Sequence, residues 1–87
     1  MNIFDIYLDI PAQKFLKKLD LSSSLRIIET IKKLAEDPIP HDSKRIIGEK
    51  EKVFRIRVGK FRVLYRVDYE NYRVVVINID YRDRIYK

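Results

Sequence analysis

Along Val53–Val67 apolar and basic residues alternate with a period of two. Phe54, Ile56 and Val58 share one side of an extended strand, and Arg55 and Arg57 share the other. Phe61, Val63, Tyr65 and Val67 repeat the pattern, with Arg62, Leu64 and Arg66 opposite. Between the two runs stands Gly59-Lys60, glycine first, which predicts a type II′ hairpin turn. That turn sets the register: Val58 faces Phe61, Arg57 faces Arg62, Ile56 faces Val63 and Arg55 faces Leu64. Like charges directly opposite in a sheet destabilise it by about 0.2–1 kcal/mol. A hairpin that sets Arg57 against Arg62 is therefore a candidate anion-binding surface, and the anion best matched to several fixed guanidinium forks is a phosphate.

The other elements follow from the same kind of pattern. Asn2 to Asp9 reads as a first strand, with Phe4, Ile6 and Leu8 alternating against Asp5, Tyr7 and Asp9. Pro11 opens a short helix whose stripe is Phe15, Leu16 and Leu19 and which ends near Asp20. A second helix starts at Ser22-Ser23-Ser24, carries Leu25, Ile28, Ile31, Leu34 and Ala35 at helical spacing, and stops at Asp37-Pro38. The short link between them predicts an antiparallel helical hairpin. Ile39 to Lys52 reads as an irregular connector. After a turn at Asp68–Tyr72, a further strand runs from Arg73 to Asp80. Setting Tyr65 opposite Ile77 and Val63 opposite Ile79 puts Val75, Ile77 and Ile79 on the core side, Asp80 opposite Arg62, and Arg82 opposite Lys60. The tail carries Arg82, Arg84 and Tyr86. The order β-α-α-β-β-β predicts an α+β fold: one curved, mainly antiparallel sheet with a two-helix hairpin packed on one face.

Composition sharpens this picture in two places. At 87 residues and 46% hydrophobic content, the chain is expected to form a single domain, residues 1–87, with one modest core. The lack of cysteine, of a long apolar run and of a signal-peptide core favours a cytoplasmic protein with no membrane segment, no disulfide and no thiolate site. Net charge is +6, but residues 1–43 hold 6 Lys and Arg against 7 Asp and Glu, whereas residues 44–87 hold 13 against 6. The excess lies wholly in the half that carries the arginine strands. That asymmetry favours a polyanionic partner, nucleic acid or an acidic protein segment. Its bland rival is a solvated, ion-paired surface.

These residues together resemble a known family. A short strand, two helices, a proline after the second, and then Arg55-Ile56-Arg57-Val58-Gly59-Lys60-Phe61-Arg62-Val63-Leu64-Tyr65 and Arg82-Asp83-Arg84-Ile85-Tyr86 are similar to the RelE/ParE superfamily of toxins from toxin–antitoxin systems. The resemblance covers essentially the whole chain. It implies one of two activities. RelE-type members cleave messenger RNA at the ribosomal A site and are silenced by a cognate, RelB-like antitoxin. ParE-type members share the fold and inhibit DNA gyrase without cutting RNA. A third reading is a homologue that binds antitoxin and has no activity. By position, the resemblance assigns the first-strand basic residues to Arg55 and Arg57, the arginine after the turn to Arg62, and the tail residues to Arg82 and Tyr86. In the best-known RelE-type toxin the first-strand positions are lysine. Here both are arginine, which leaves the general acid open because arginine stays protonated. No cofactor is implied, and the expected partners are mRNA, the ribosome and an antitoxin with an acidic amphipathic helix.

RNA can be cut by its own 2′-hydroxyl attacking the adjacent phosphate, without a metal. The route needs a base, positive charge for the phosphorane and an acid for the leaving 5′-oxygen. Arg57, Arg62 and Arg82 would supply the charge, and Tyr86 is the candidate base or a stacking platform. Arg55, Arg66 and Arg84 would hold the RNA backbone, Lys52 and Lys60 would bind it, and the proton for the leaving oxygen would come from Lys52, Lys60 or a bound water. The competing reading makes Arg57 and Arg62 a solvated strand face paired with Asp80. Phe54, Phe61 and Tyr65 read as core. His41, the only histidine, reads as a loop residue with no metal role.

Overall fold

A computed structural model of the chain describes residues 3–46 and 52–82. Five strands and two helices follow in the order β1 (Asp5–Leu8), α1 (Ile10–Lys18), α2 (Leu21–Lys33), β2 (Lys44–Arg45), β3 (Val53–Val58), β4 (Phe61–Asp68) and β5 (Arg73–Tyr81). The sheet runs β1-β5-β4-β3-β2. β1 lies parallel to β5, and every other pair is antiparallel. The α+β class and the mainly antiparallel sheet are as expected. The two-residue β2, inside the expected connector, is an addition.

Helix boundaries follow local chemistry. Pro11 stands in the first turn of α1, where its missing N–H costs nothing. The cap of α2 is Asp20, two residues before the serine run at which the helix was expected to start. Its Oδ2 accepts from the Ser23 N–H at 3.0 Å, and Leu21 is the first helical residue. That backbone hydrogen bond, with the Ser23 hydroxyl beside it, holds the Asp20 carboxyl below the usual carboxylate range. A lowered folded-state pKa contributes stability above the unfolded value, lost as pH falls through the folded one. An Asp20→Ala variant is therefore expected to melt below the parent at neutral pH. The difference should close under acid conditions, below about pH 4, which a series of thermal melts against pH measures.

The hairpin is as its sequence requires. Gly59 adopts φ 58°, and among the other described residues only Tyr72 has a positive φ, so Lys60 completes a turn of the II′ kind. The register of β3 on β4 pairs Val58 with Phe61, Arg57 with Arg62, Ile56 with Val63 and Arg55 with Leu64. Between β4 and β5 the expected register holds only at one end. Arg62 faces Asp80 and Val63 faces Ile79, but Tyr65 faces Val76, not Ile77, because the register shifts between Leu64 and Tyr65. The shift leaves Ile77 without a cross-strand partner, as in a β-bulge. Val74, Val76 and Ile79 consequently join the core, where Val75, Ile77 and Ile79 were expected. The extra residue resets the alternation. Val74 and Val76 turn toward the helices beside Ile6 and Leu8 of β1, while Asn78 and Asp80 stay on the other face.

The core lies between the helices and one face of the sheet. Ala12, Ile27, Ile31 and Leu34 meet Phe54, Ile56, Val58, Phe61, Val63, Tyr65 and Val67. Phe15 packs edge-on against Phe61 and Tyr81, which lie tilted on each other, under the hairpin turn. Phe4 packs edge-on against Tyr69 and Tyr72 at the opposite end, which gives those turn tyrosines a structural role. With one face so covered, the basic residues of β3 and β4 are confined to the other.

Candidate functional site

Strand pairing sorts the open face of the sheet into rows. Arg57, Arg62 and Asp80 form one. Lys44, Arg55, Leu64 and Asn78 form the next, and Val53, Arg66 and Val75 a third. Members of a row stand about 4.8 Å apart and successive rows about 6.6 Å, two residues' rise, close enough for long basic side chains of adjacent rows to share one patch. Burial across the patch is uneven. Arg57 is exposed, Arg55 and Arg66 are half-buried, and Arg62 is only 1% exposed. A guanidinium buried that far is held in place by the groups packed around it. The reading of Arg62 as part of a solvated face is thus replaced. Asp80 lies opposite it, half-buried, with Oδ1 accepting from the Tyr81 N–H at 2.7 Å.

The remaining candidates lie elsewhere. Arg82 reaches the tip of the hairpin. Its backbone N–H donates to the Lys60 carbonyl at 3.0 Å and its Nη1 to the Gly59 carbonyl at 3.4 Å. It stands one step along β5 from the Arg57–Arg62–Asp80 row, as the expected pairing with Lys60 requires. Lys60 turns away from the basic patch, its Nζ 5.7 Å from the Phe61 ring centroid and 5.9 Å from that of Tyr81. Lys52 lies at the far end of β3, its Nζ 5.2 Å from the Tyr69 ring centroid, on the side where Tyr69 packs against Phe4. Neither lysine is brought to the arginine row. Arg84 and Tyr86 fall outside the described residues.

Two features escape a reading by periodicity. Lys44 is set directly across from Arg55 by β2, and a two-residue strand is too short to show an alternation. A cleft of about 320 Å³ lies among Asp42, Lys44, Arg55 and Arg57. A second, of about 280 Å³, adjoins it between α2, the loop after it and β3, and the two share Asp42 and Arg57. The loop is anchored from below: the Tyr65 hydroxyl donates to the Pro38 carbonyl at 2.8 Å, and burial pushes the Tyr65 phenol up to about 12.

An open sheet carrying two helices on one face and an arginine patch on the other is the architecture of the RelE/ParE toxin superfamily. The chain belongs to that family: residues 6–86 match the model of the ParE toxin of type II toxin–antitoxin systems, parDE. It is 36% identical over 87 residues to a Methanocaldococcus jannaschii protein named "Putative toxin RelE1", with 97% of this chain and 96% of that one covered. Two solved assemblies contain similar chains. The archaeal RelE–RelB complex of Pyrococcus horikoshii OT3 matches with a TM-score of 0.83 at 22% identity, covering 94% of this chain and 98% of that one. The RelBE2 toxin–antitoxin complex of Mycobacterium tuberculosis matches with a TM-score of 0.80 at 27% identity, covering 92% and 99%. The protein is a RelE-like toxin of a toxin–antitoxin system.

Proposed function

We propose that the protein is an endoribonuclease that cleaves mRNA in the ribosomal A site by attack of the 2′-hydroxyl on the neighbouring phosphate. The observation that carries this reading is the buried Arg62, set between Arg57 and Asp80 on the open face. The exposed Arg57 presents guanidinium donors to the non-bridging phosphate oxygens as the phosphorane forms, with the buried Arg62 adding positive charge behind it and Arg82 approaching from the hairpin tip. Arg55, Arg66 and Lys44 hold the flanking backbone phosphates. Tyr86 and Arg84 retain the roles that the resemblance implies, a base or stacking group and a backbone contact. The arginines supply the positive charge, so the step needs no metal. Positioning of the 2′-hydroxyl in line with the leaving 5′-oxygen supplies much of the remaining acceleration.

A cognate antitoxin is the second partner. RelE–RelB complexes are known for similar folds, and a basic patch calls for an acidic segment that covers it. Such a complex should weaken steeply as salt is raised. The family match to ParE favours a second reading, inhibition of DNA gyrase without RNA cleavage. Mapping of mRNA ends after incubation with programmed ribosomes, beside a gyrase supercoiling assay, separates the two. New ends within the A-site codon and unchanged supercoiling are expected; intact mRNA with blocked supercoiling reverses the assignment.

A further inference from the structure

Cleavage by the 2′-hydroxyl needs a proton for the departing 5′-oxygen, and the arginine row does not supply one. A guanidinium keeps its proton, whereas an ammonium gives one up far more readily. Lys52 and Lys60 are turned to aromatic rings at the two ends of the sheet. Lys33 lines the cleft on the α2 side, with Thr30 and Leu34. Lys44 is placed differently. It stands directly across from Arg55, and Arg57 is its diagonal neighbour on the same face. Diagonal positions of this kind are about 7–8 Å apart, within reach of long side chains. Lys44 also lines the cleft of about 320 Å³, whose other lining residues are Asp42, Arg55 and Arg57. Among the described residues it is the lysine that shares a cleft with both arginines of β3. Its side chain is exposed, so a phosphate bound by those arginines is open to it.

We propose that Lys44 is the general acid of the cleavage step. The inference rests on the nuclease reading and fills the role that the arginines leave open. As the 2′-oxygen bonds to phosphorus, its proton passes to the base, for which Tyr86 is the candidate. The bond from phosphorus to the 5′-oxygen breaks, and its electron pair stays on that oxygen. The Lys44 ammonium gives this oxygen its proton, so the products are a 2′,3′-cyclic phosphate and a 5′-hydroxyl. The neutral amine then regains a proton from water. Arg57 keeps its charge throughout and holds the non-bridging oxygens. An in-line displacement has its acid and base on opposite sides of the phosphorus. The β3–β4 hairpin has β2, which carries Lys44, on one side, and on the other β5, from which the chain runs on to Tyr86.

Single-turnover cleavage on programmed ribosomes tests it with two messengers, one ordinary and one with sulfur in place of the 5′-oxygen at the scissile phosphate. A thiol is a far stronger acid than an alcohol, so the sulfur departs without a proton. Lys44→Arg keeps the charge but not the readily given proton. That variant is expected to cut the ordinary messenger at least about 10²-fold more slowly than the parent, the scale of general-acid catalysis, and the sulfur messenger at the parent's rate. It should melt with the parent, since Lys44 is exposed. A variant that cuts the ordinary messenger as fast as the parent would show that Lys44 contributes charge alone. Equal slowing on both messengers would show that it only positions the RNA. Either result overturns the acid and leaves the nuclease reading standing, because the parent still cuts. A parent that leaves both messengers intact overturns the nuclease reading and the acid with it.

Discussion

An Arg62→Met variant is expected to lose RNA cleavage by at least about 10²-fold while melting close to the parent's temperature. The activity loss follows from the scale of removing a fixed electrostatic stabiliser of a developing oxyanion, about 10²–10³ in rate. The stability half sets two opposing effects against each other. Taking a cation out of water costs several kcal/mol, and Arg62 is 1% exposed with a second arginine, Arg57, directly opposite. Against this stands the loss of a basic neighbour for Asp80. That loss is small, because Asp80 is only half-buried and one of its oxygens already accepts from the Tyr81 N–H. Replacement of a whole buried ion pair by apolar groups is commonly neutral or stabilising, whereas removal of one partner is costly, so with Asp80 half-exposed the two effects should nearly cancel. Arg62→Ala should behave differently, losing activity and also about 2–4 kcal/mol through the cavity it opens. Single-turnover cleavage and thermal melts on both variants check this. A methionine variant that still cuts would remove Arg62 from the chemistry, and one that unfolds would show that its role is to hold the sheet.

The largest stability effect is expected at Tyr65. Its ring is fully buried and stacks on Phe54 with centroids 5.9 Å apart, and its hydroxyl ties the sheet to the loop at Pro38. Tyr65→Ala should cost about 3–5 kcal/mol, as for other buried aromatics cut to alanine. That is a large part of the roughly 5–15 kcal/mol that holds a domain together. Tyr65→Phe keeps the packing but leaves the Pro38 carbonyl without its donor, for a loss of about 1–2 kcal/mol. The pH dependence separates the hydroxyl from the ring. A phenol raised to about 12 in the folded state stabilises fully below its unfolded value near 10, and that contribution is lost as pH rises through the folded value. The gap between parent and Tyr65→Phe should therefore be constant up to about pH 10 and narrow above it. Denaturant melts at neutral pH and at pH 11 check this; a gap that widens in alkali contradicts the assignment. Because the same loop carries Asp37 and Asp42, both Tyr65 variants should also loosen the cleft beside Arg57.

Much of this architecture is legible from local pattern alone. The alternation from Val53 to Val67, broken by one glycine able to take a positive φ, leaves a single hairpin register in which the apolar residues share a face. Arg57 must then meet Arg62 whatever the rest of the chain does. The helices announce themselves through apolar spacing and proline, though Asp20 displaced the serines as cap because its carboxylate reaches the Ser23 N–H. The bulge at Ile77 was not legible. Strict alternation offers two registers for β5, and the chain takes one on each side of an inserted residue, a choice that depends on β1 packing alongside Val74 and Val76.

Neighbours along the chain and the two-residue period of a strand set the element order, the hairpin and the gathering of arginines on one side of it. Packing of distant segments is what buries Arg62 and leaves Arg57 open, turns Lys52 and Lys60 from the patch, and brings Asp42 to Arg57 at the mouth of a cleft. Burial and clefts depend on which distant segments come to lie over a residue, and periodicity carries no record of that.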